Sequence, residues 1–534
     1  MNSPRLPPLT IADLQTGNDY LARLPLAEPP KAAAALAQLF SCLQTAPPDV
    51  ETYFRILEQA RLPLAQVCDE LAKRYVGKPL PFGDIEDSLF NTVVGLWRDT
   101  AKCYAQCGEL KPVHDEDAAT HDRRLATLLH RCLLYTGLTI YEHQRARREY
   151  PWGLWLDFHG YFASAEEWAL EKHPVADVHE ILGRSTNCLA AYLVPILTDM
   201  AGCYRLSARE LALTFRWARY WSNLVSIETI SAGENTPAFV IDLMQDTALL
   251  PMAECLKTDQ MRRLDTSRLA VQITQIRQQL RQKVPPSQLA LGTDCTTSQC
   301  ARLLGTIAKP WSQARAARKF RRHNTTGVTQ LCSGFEEMHY YISGREFEQP
   351  ENVRTYSRRE FESMFVFRQQ DDPQQMLQVR KVQLGYALDS WEVVNQSANG
   401  FRLMRSVSGK RMTHGQLLAL CPHDGDHFLL AKATWLMQEK ESGLIAGILT
   451  LPGIPSAIAA RRMDAPPESQ GIYERAFLLP AKEPISSEPS LVLHSGWYRA
   501  GRLLEIYTDG PWQVRLTGLI DEGSDFEHVS FVLC

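Results

Sequence analysis

Long apolar segments are missing from this 534-residue sequence. The longest strongly apolar run, Cys188 to Leu197, is too short to cross a bilayer and predicts a buried helix instead. Residues Met1 to Pro8 show no basic segment followed by an apolar stretch, so no secretory signal peptide is visible. We therefore expect a soluble cytoplasmic protein without membrane insertion.

Motifs of the common enzyme classes are missing as well. There is no Walker A loop, no Gly-x-Gly-x-x-Gly after a strand and no Gly-x-Ser-x-Gly elbow. His423-Asp-Gly-Asp-His427 resembles a metal cluster, but Asp-Gly is a favoured hairpin turn and predicts a solvent-exposed loop. Cys295 and Cys300 lack the second pair of ligands that a zinc site needs. We expect no enzymatic activity, no metal site and no cofactor.

The charge and the cysteines narrow the class of protein further. A net charge of −4 supplies no global positive field, which argues against a general nucleic-acid binder. The 13 cysteines have no framework spacing, and an odd number cannot all pair within the chain. Free thiols in a reducing cytoplasm fit this pattern better than a secreted disulfide scaffold.

Two to four domains are expected, because a chain of this length exceeds one hydrophobic core. Residues 1–310 have the 3.6-residue periodicity of helices, and Ser207 with Glu210 forms a capping box before one of them. The aromatic stretch around residues 150–162 keeps the same spacing, so we interpret it as core packing. The succession resembles a tetratricopeptide-type array of helical hairpins but has no repeat of fixed period. The apolar positions that carry the periodicity are Leu64, Val67, Cys68, Leu71 and Tyr75; Leu125, Leu128, Leu129, Cys132 and Leu133; Leu211, Phe215 and Ala218; and Trp155, Phe158, Phe162 and Ala165.

Short apolar or alternating runs replace this pattern after about residue 310, which is typical of strands in a small antiparallel barrel. A second set of runs predicts an extension of the barrel or a second β-module, with the Pro-rich stretch 466–469 as the seam between the two sets. The polar stretch 344–381 predicts an insertion that packs outside the barrel. The first set of runs comprises 391–394, 401–404, 417–420, 428–436 and 444–449, and the second set comprises 476–479, 491–494, 503–507, 514–516 and 529–533.

Two polar elements accompany the first set of strands. Arg318-Lys-Phe-Arg321-Arg322 directly precedes the strand-like run 327–331. Arginine presents a planar fork of charged donors that can grip phosphate oxygens and stack on a base. The second element is Asn395-Gln-Ser397-Ala-Asn-Gly400, in which Asn395 and Ser397 alternate along a strand and point to one side. Gly400 suits a tight turn or a close approach of the backbone.

Together these elements resemble the PilZ family of cyclic-di-GMP receptors. That family has an Arg-x-x-x-Arg leader, matched by Arg318 and Arg322, and an Asp/Asn-x-Ser-x-x-Gly turn, matched by Asn395, Ser397 and Gly400. The downstream pattern is also similar, with Gly415 before one strand, a strand ending at Trp435 and Gly447 in a closing strand. The resemblance covers about residues 315–450. It implies a small six-stranded barrel in which the arginines bind phosphate and guanine while Asn395 and Ser397 contact the guanine edge.

One alternative for the arginine pair stays open. Arg354 and Arg358 have the same spacing and lie nearer to Asn395 in the sequence. Arg318 and Arg322 are preferred because a β-like run follows them directly.

The sequence predicts a multidomain α + β chain. We expect a helical domain at 1–310, a PilZ-like barrel at 311–465 and a C-terminal β-module at 466–534. The expected function is that of a cyclic-di-GMP receptor in which the nucleotide changes domain docking or the binding of a protein partner through the helical domain. The alternative is a ligand-free scaffold that acts only through protein–protein interaction.

Overall fold

In the computed structural model the chain divides into two compact units. The first comprises residues 1–78 and 82–317, and the second comprises residues 79–81 and 318–534. The structure describes residues 11–110, 117–179, 185–230, 239–252, 258–313, 323–350, 385–397, 399–406, 409–423, 425–440, 443–464, 471–481 and 488–534.

Helices make up most of the first unit, as the periodicity predicts. Apolar residues of each helix face one of two adjoining cores, and the stripe Leu64, Val67, Cys68 and Leu71 is fully buried. The helices are α1 (Leu14–Ala22), α2 (Pro29–Thr45), α3 (Val50–Ala72), α4 (Asp84–Glu109), α5 (Ala118–Ala146), α6 (Leu154–Glu167), α7 (Cys188–Met200), α8 (Ala208–Trp221), α9 (Ser267–Arg281) and α10 (Thr297–Trp311).

Two local predictions in this unit are confirmed at the level of single residues. The capping box before α8 is present, because Ser207 accepts from the backbone of Glu210 while the Glu210 carboxylate accepts from the backbone of Ser207. Trp155, Phe158 and Phe162 of α6 are buried, and the Phe162 ring stacks on Tyr192 with 3.9 Å between ring centroids. The aromatic stretch is therefore core.

Four short strands in the first unit were not predicted. They form an antiparallel sheet in the order β1-β4-β2-β3, with β1 (Ser226–Thr229), β2 (Phe239–Asp242), β3 (Leu250–Pro251) and β4 (Met261–Asp265). Strands of two to five residues are too short to produce a clear alternating pattern, and β4 includes two adjacent arginines. Within the described residues, no helix of either unit is long and apolar enough to cross a membrane.

A closed antiparallel barrel begins the second unit, so the predicted small β-barrel is confirmed. Its strands are β6 (Val328–Ser333), β7 (Asp389–Ser397), β8 (Gly400–Arg405), β9 (Leu417–Cys421), β10 (Leu429–Gln438) and β11 (Leu444–Thr450). The hydrogen-bonded circuit runs β6-β7-β8-β11-β10-β9 and closes where β9 pairs with β6. A short strand β5 (His323–Asn324) pairs with the far end of β7.

A second closed barrel follows, with β12 (Ser456–Arg462), β13 (Glu474–Leu479), β14 (Ser490–His494), β15 (Leu503–Tyr507), β16 (Pro511–Glu522) and β17 (Phe526–Leu533). Its first strand, β12, was missed by the sequence analysis and precedes the seam expected at 466–469. Because β12 pairs with both β13 and β15, the boundary between the barrels lies between Thr450 and Ser456 instead of near residue 465.

Helix α11 (Phe335–Ser343) follows β6 and packs against strands of both barrels. It ends at Gly344, whose φ of +72° is a left-handed conformation that glycine adopts readily. The expected insertion at 344–381 is described only to residue 350, where the Gln349 amide pairs with the backbone of Tyr473 in the second barrel. The remainder of the insertion lies outside the described residues, so its placement stays a prediction.

Candidate functional site

The residues that the motif singled out fall on the β7–β8 hairpin of the first barrel. Asn395 and Ser397 lie at the end of β7, and Gly400 is the first residue of β8. The arginine candidates Arg318, Arg321 and Arg322, and the alternative pair Arg354 and Arg358, lie outside the described residues.

Ser397 and Gly400 form the last pair of the hairpin. The Ser397 hydroxyl donates to the carbonyl oxygen of Gly400 at 3.2 Å. A side chain at position 400 would place its Cβ 3.0 Å from the backbone oxygen of Ile448 in β11. This contact is tighter than ordinary van der Waals packing, so glycine at position 400 favours the close approach of neighbouring strands that the sequence predicts.

Asn395 lies at a junction of three strands. Its backbone pairs with Arg402 of β8 on one side and with Asn324 of β5 on the other. The register of the β7–β8 pair shifts between Val393 and Asn395, which marks a bulge at Val394. Because a bulge adds one residue to a strand, it changes which side chains face which side of the barrel.

The same register continues around the barrel and brings a row of residues together. Arg402 lies opposite Gly447 of β11, and Gly447 lies opposite Trp435 of β10. Directly opposed residues on antiparallel strands project to the same side of a sheet, so Asn324, Asn395, Arg402, Gly447 and Trp435 share one face. We call these five residues the cross-strand row.

Gly447 leaves room for the tryptophan in this row. A Cβ on Gly447 would lie 1.7 Å from Nε1 of Trp435, so the indole lies directly over the glycine backbone. The guanidinium carbon of Arg402 is 5.8 Å from the centroid of the Trp435 ring, within the range of a cation–π contact. The row therefore presents a flat aromatic and guanidinium surface next to the Asn395 amide.

Arg402 also has unused hydrogen-bonding capacity. The Nε atom of Arg402 is buried and has no hydrogen-bond partner among the described residues. No described carboxylate forms an ion pair with the Arg402 guanidinium. The neighbouring basic residues differ, because Arg405 pairs with Asp389 and Lys432 pairs with Asp521 at 2.8 Å. An unpaired guanidinium beside an aromatic ring is suited to an anion or to a stacked planar base.

The sequence analysis did not single out Arg402 or Asn324, and it noted Trp435 only as the end of a strand. Arg402 follows Gly400 by two residues, so alternation alone would have placed the two residues on one face. The register between β10 and β11 is needed to bring Trp435 into the row, and no local pattern contains it.

Three family models match successive parts of the chain. The N-terminal domain of the cyclic-di-GMP receptor FimW matches residues 15–233, its middle PilZ domain matches residues 238–387, and the FimW C-terminal beta-barrel domain matches residues 458–534. Together the matched ranges cover most of the chain in one order. The chain is therefore similar to the FimW cyclic-di-GMP receptors in all three of their domains.

A curated protein of this family shows how far the similarity extends. The cyclic-di-GMP receptor FimW of Pseudomonas aeruginosa is 23% identical over an alignment that covers 92% of this chain and 85% of the relative. No solved structure matches the chain.

The family matches correct the expectation that the helical domain has no assigned family, and the bounds of the PilZ match differ from those of the first barrel. The N-terminal helices, which the sequence analysis left without a family, match the FimW N-terminal model, because helical periodicity alone carries no family signature. The match to the middle PilZ model ends at residue 387, two residues before β7 begins at Asp389. The hydrogen-bonded strands of the first barrel continue beyond this match, to Thr450 at the end of β11.

Proposed function

We propose that this chain is a cyclic-di-GMP receptor and that the nucleotide binds on the face of the first barrel that carries the cross-strand row. One observation carries the proposal: the register of the barrel places Asn395, Arg402 and Trp435 on one face, with Ser397 at the end of the same strand as Asn395. The similarity to a protein named as a cyclic-di-GMP receptor supports the choice of ligand.

Each group has a role in this proposal that follows from its chemistry. The amide of Asn395 offers both a donor and an acceptor for a guanine edge, and the hydroxyl of Ser397 offers a further donor or acceptor. Arg402 and Trp435 supply a planar cation and an aromatic face on which a guanine can stack. Arginines from the leader supply the charge that the two phosphates need.

The pairing of β5 supports Arg318 and Arg322 as the phosphate-binding pair, with Arg321 beside them. The leader runs directly into His323, and the backbone of His323 pairs with Gln396, the residue between Asn395 and Ser397. Because Arg322 directly precedes His323 in the sequence, this pairing supports the leader as the source of the phosphate-binding arginines. We keep Arg354 and Arg358 as the alternative pair.

Nucleotide binding in this proposal orders the leader between the helical unit and the barrel, and so changes the docking of domains or of a protein partner. The protein then acts as a cytoplasmic signalling receptor without catalytic activity. The described cysteines are all free thiols, which supports a reducing compartment.

The first experiment is titration calorimetry of the full chain with cyclic-di-GMP. Replacing Arg318 or Arg322 with alanine should weaken binding about a hundredfold, because each charged hydrogen bond to phosphate is worth on the order of 1.5–3 kcal/mol and one arginine can form two. Arg354→Ala should then have little effect. If Arg354→Ala and Arg358→Ala abolish binding while the other pair does not, the leader assignment is wrong and the receptor assignment survives.

The second experiment tests the barrel face with matched controls. Ser397→Ala should weaken binding about fivefold, and Arg402→Ala more than tenfold, since the first removes a neutral hydrogen bond and the second removes a charged one. Ser390→Ala, at the other end of β7, and Arg462→Ala, whose guanidinium carbon is 5.2 Å from the Trp497 ring in the second barrel, should leave binding unchanged. If the native protein does not bind the nucleotide at high micromolar concentration, the receptor proposal fails and the ligand-free scaffold replaces it.

A further inference from the structure

The helical unit contains a partly open cavity that the proposed nucleotide site does not use. It has a volume of about 250 Å³ and lies among residues of α3, α5, α7 and α8. Much of its wall is apolar and includes Leu134, Leu138, Ala191, Val194 and Phe215. A cavity of about 150 Å³ with such a lining is large enough for benzene, so this one can hold a larger aromatic molecule.

One side chain in the wall has a ring nitrogen without a hydrogen-bond partner among the described residues. His130 lines the cavity and is only 1% exposed. Its Nδ1 atom lies 2.9 Å from a guanidinium nitrogen of Arg131. Because a guanidinium only donates, Nδ1 must accept this hydrogen bond, and the ring proton is therefore on Nε2. No described residue accepts a hydrogen bond from Nε2 of His130.

The imidazole remains neutral at physiological pH. Burial, with a smaller contribution from the charge of Arg131, lowers the pKa of His130 to about 3. The charges behind it are balanced, since Arg131 pairs with Glu58 at 2.8 Å and Arg61 pairs with Asp177 at 2.5 Å. The wall also includes Asp69, Arg219 and the Glu142–Arg145 ion pair, so the cations and carboxylates of the wall and of the cluster behind it balance. With charges that balance and one neutral N–H donor, the cavity favours an uncharged ligand with one acceptor.

We propose that this cavity is a second ligand site, which binds a small uncharged aromatic molecule whose carbonyl oxygen accepts a hydrogen bond from Nε2 of His130. A dianionic dinucleotide does not fit this description, because the cavity is small and the cluster behind His130 has no unpaired cation for phosphate. The site is therefore distinct from the proposed nucleotide-binding face, and its test does not depend on that proposal.

Two probe molecules of nearly the same shape test the proposal on the full chain. Acetophenone carries a carbonyl oxygen, and ethylbenzene has a methylene group in its place. Ligand-observed NMR titrations should show binding of both, with acetophenone binding about tenfold more tightly because only it accepts the hydrogen bond. If neither probe binds at millimolar concentration, or if both bind equally, the proposal is wrong.

Two variants locate the binding. His130→Phe keeps the ring and removes the donor, so it should reduce the affinity for acetophenone about tenfold and leave ethylbenzene unchanged. Ala191→Leu lengthens a side chain of α7 that lines the cavity, so it should abolish binding of both probes. This variant tests the location independently of whether His130→Phe folds. Ala105→Leu, a similar change on α4 that does not line the cavity, is the control and should bind as the native protein does. Unchanged binding by the folded Ala191→Leu variant would show that the probes occupy another place.

Discussion

The buried ion cluster of the helical unit allows a sharp test of what holds that unit together. Arg61 and Arg131 share two carboxylates, Glu58 and Asp177, and both arginines and Asp177 are almost completely buried. Asp177 also accepts a hydrogen bond from the backbone N–H of His179 at 3.0 Å. The substitution Asp177→Asn keeps the shape and an acceptor for that N–H but removes one negative charge.

The expected cost follows from the charge that remains. With Glu58 alone facing Arg61 and Arg131, the cluster holds one uncompensated buried positive charge. Breaking a buried ion pair from one side typically costs about 3–5 kcal/mol of unfolding free energy. For a unit of this size, such a loss lowers the melting temperature by roughly 5–8 °C.

The effect should depend on pH in a defined direction. Burial alone would raise the pKa of Asp177, but the charges of Arg61 and Arg131 outweigh it and lower the pKa to about 2. A carboxylate with a lowered pKa stabilises the fold above its unfolded pKa of about 4, and this contribution is lost as the pH falls towards 2. The difference between the native protein and Asp177→Asn should therefore be constant from pH 5 to 7 and shrink below pH 4.

Urea unfolding followed by circular dichroism measures these quantities. Asp49→Asn is the matched control, because Asp49 caps α3 and asparagine caps a helix equally well, so its midpoint should not move. The double variant Arg61→Met with Asp177→Leu should recover most of the lost stability, since it removes both charges together. A loss below about 1 kcal/mol for Asp177→Asn at pH 7 would refute the reasoning, because the cluster would then be effectively solvated.

Three further outcomes are expected. Burial raises the pKa of Asp199 to about 6, so the free energy of unfolding should fall as the pH rises from about 4 to 6. Asp199→Asn should therefore increase the free energy of unfolding by about 2 kcal/mol at pH 8, measured as a shift of the urea midpoint. Gly447→Val should cost about 2–3 kcal/mol and change the tryptophan fluorescence, because its side chain displaces the indole of Trp435; an unchanged spectrum would contradict the close packing. Asp525→Ala should cost about 1–2 kcal/mol in thermal unfolding, since it leaves the backbone N–H of Leu417, 2.8 Å from the carboxylate, without its acceptor; a smaller loss would mean that water replaces it.

The sequence by itself determined the features that depend on local chemistry. Helical periodicity predicted α3 and α5, and Ser207 with Glu210 correctly marked the start of α8. Alternating runs and turn residues predicted most strands of both barrels. The resemblance to the PilZ family agrees with the middle PilZ model that matches residues 238–387. Asn395, Ser397 and Gly400 lie beyond that match, and their role in binding stays a prediction.

Tertiary structure alone decided which strands pair. Strand β12 (Ser456–Arg462) follows the strands of the first barrel closely in the sequence, and the sequence analysis missed it. Its partners, β13 and β15, lie later in the chain and assign it to the second barrel. The four short strands at residues 226–265 likewise exist through their mutual hydrogen bonds, since each is too short to have a pattern of its own.

In the candidate site, local sequence likewise determines some residues and strand pairing determines the others. The motif residues are neighbours in sequence, but Arg402, Trp435 and Gly447 become neighbours only through the registers β8–β11 and β10–β11. Those registers include a shift between Ala433 and Trp435, and one such shift moves every later side chain of a strand to the opposite face. A bulge is stabilised by pairing and packing across strands, which are contacts between residues distant in the sequence, and for that reason the composition of the row could not be predicted before the barrel was known.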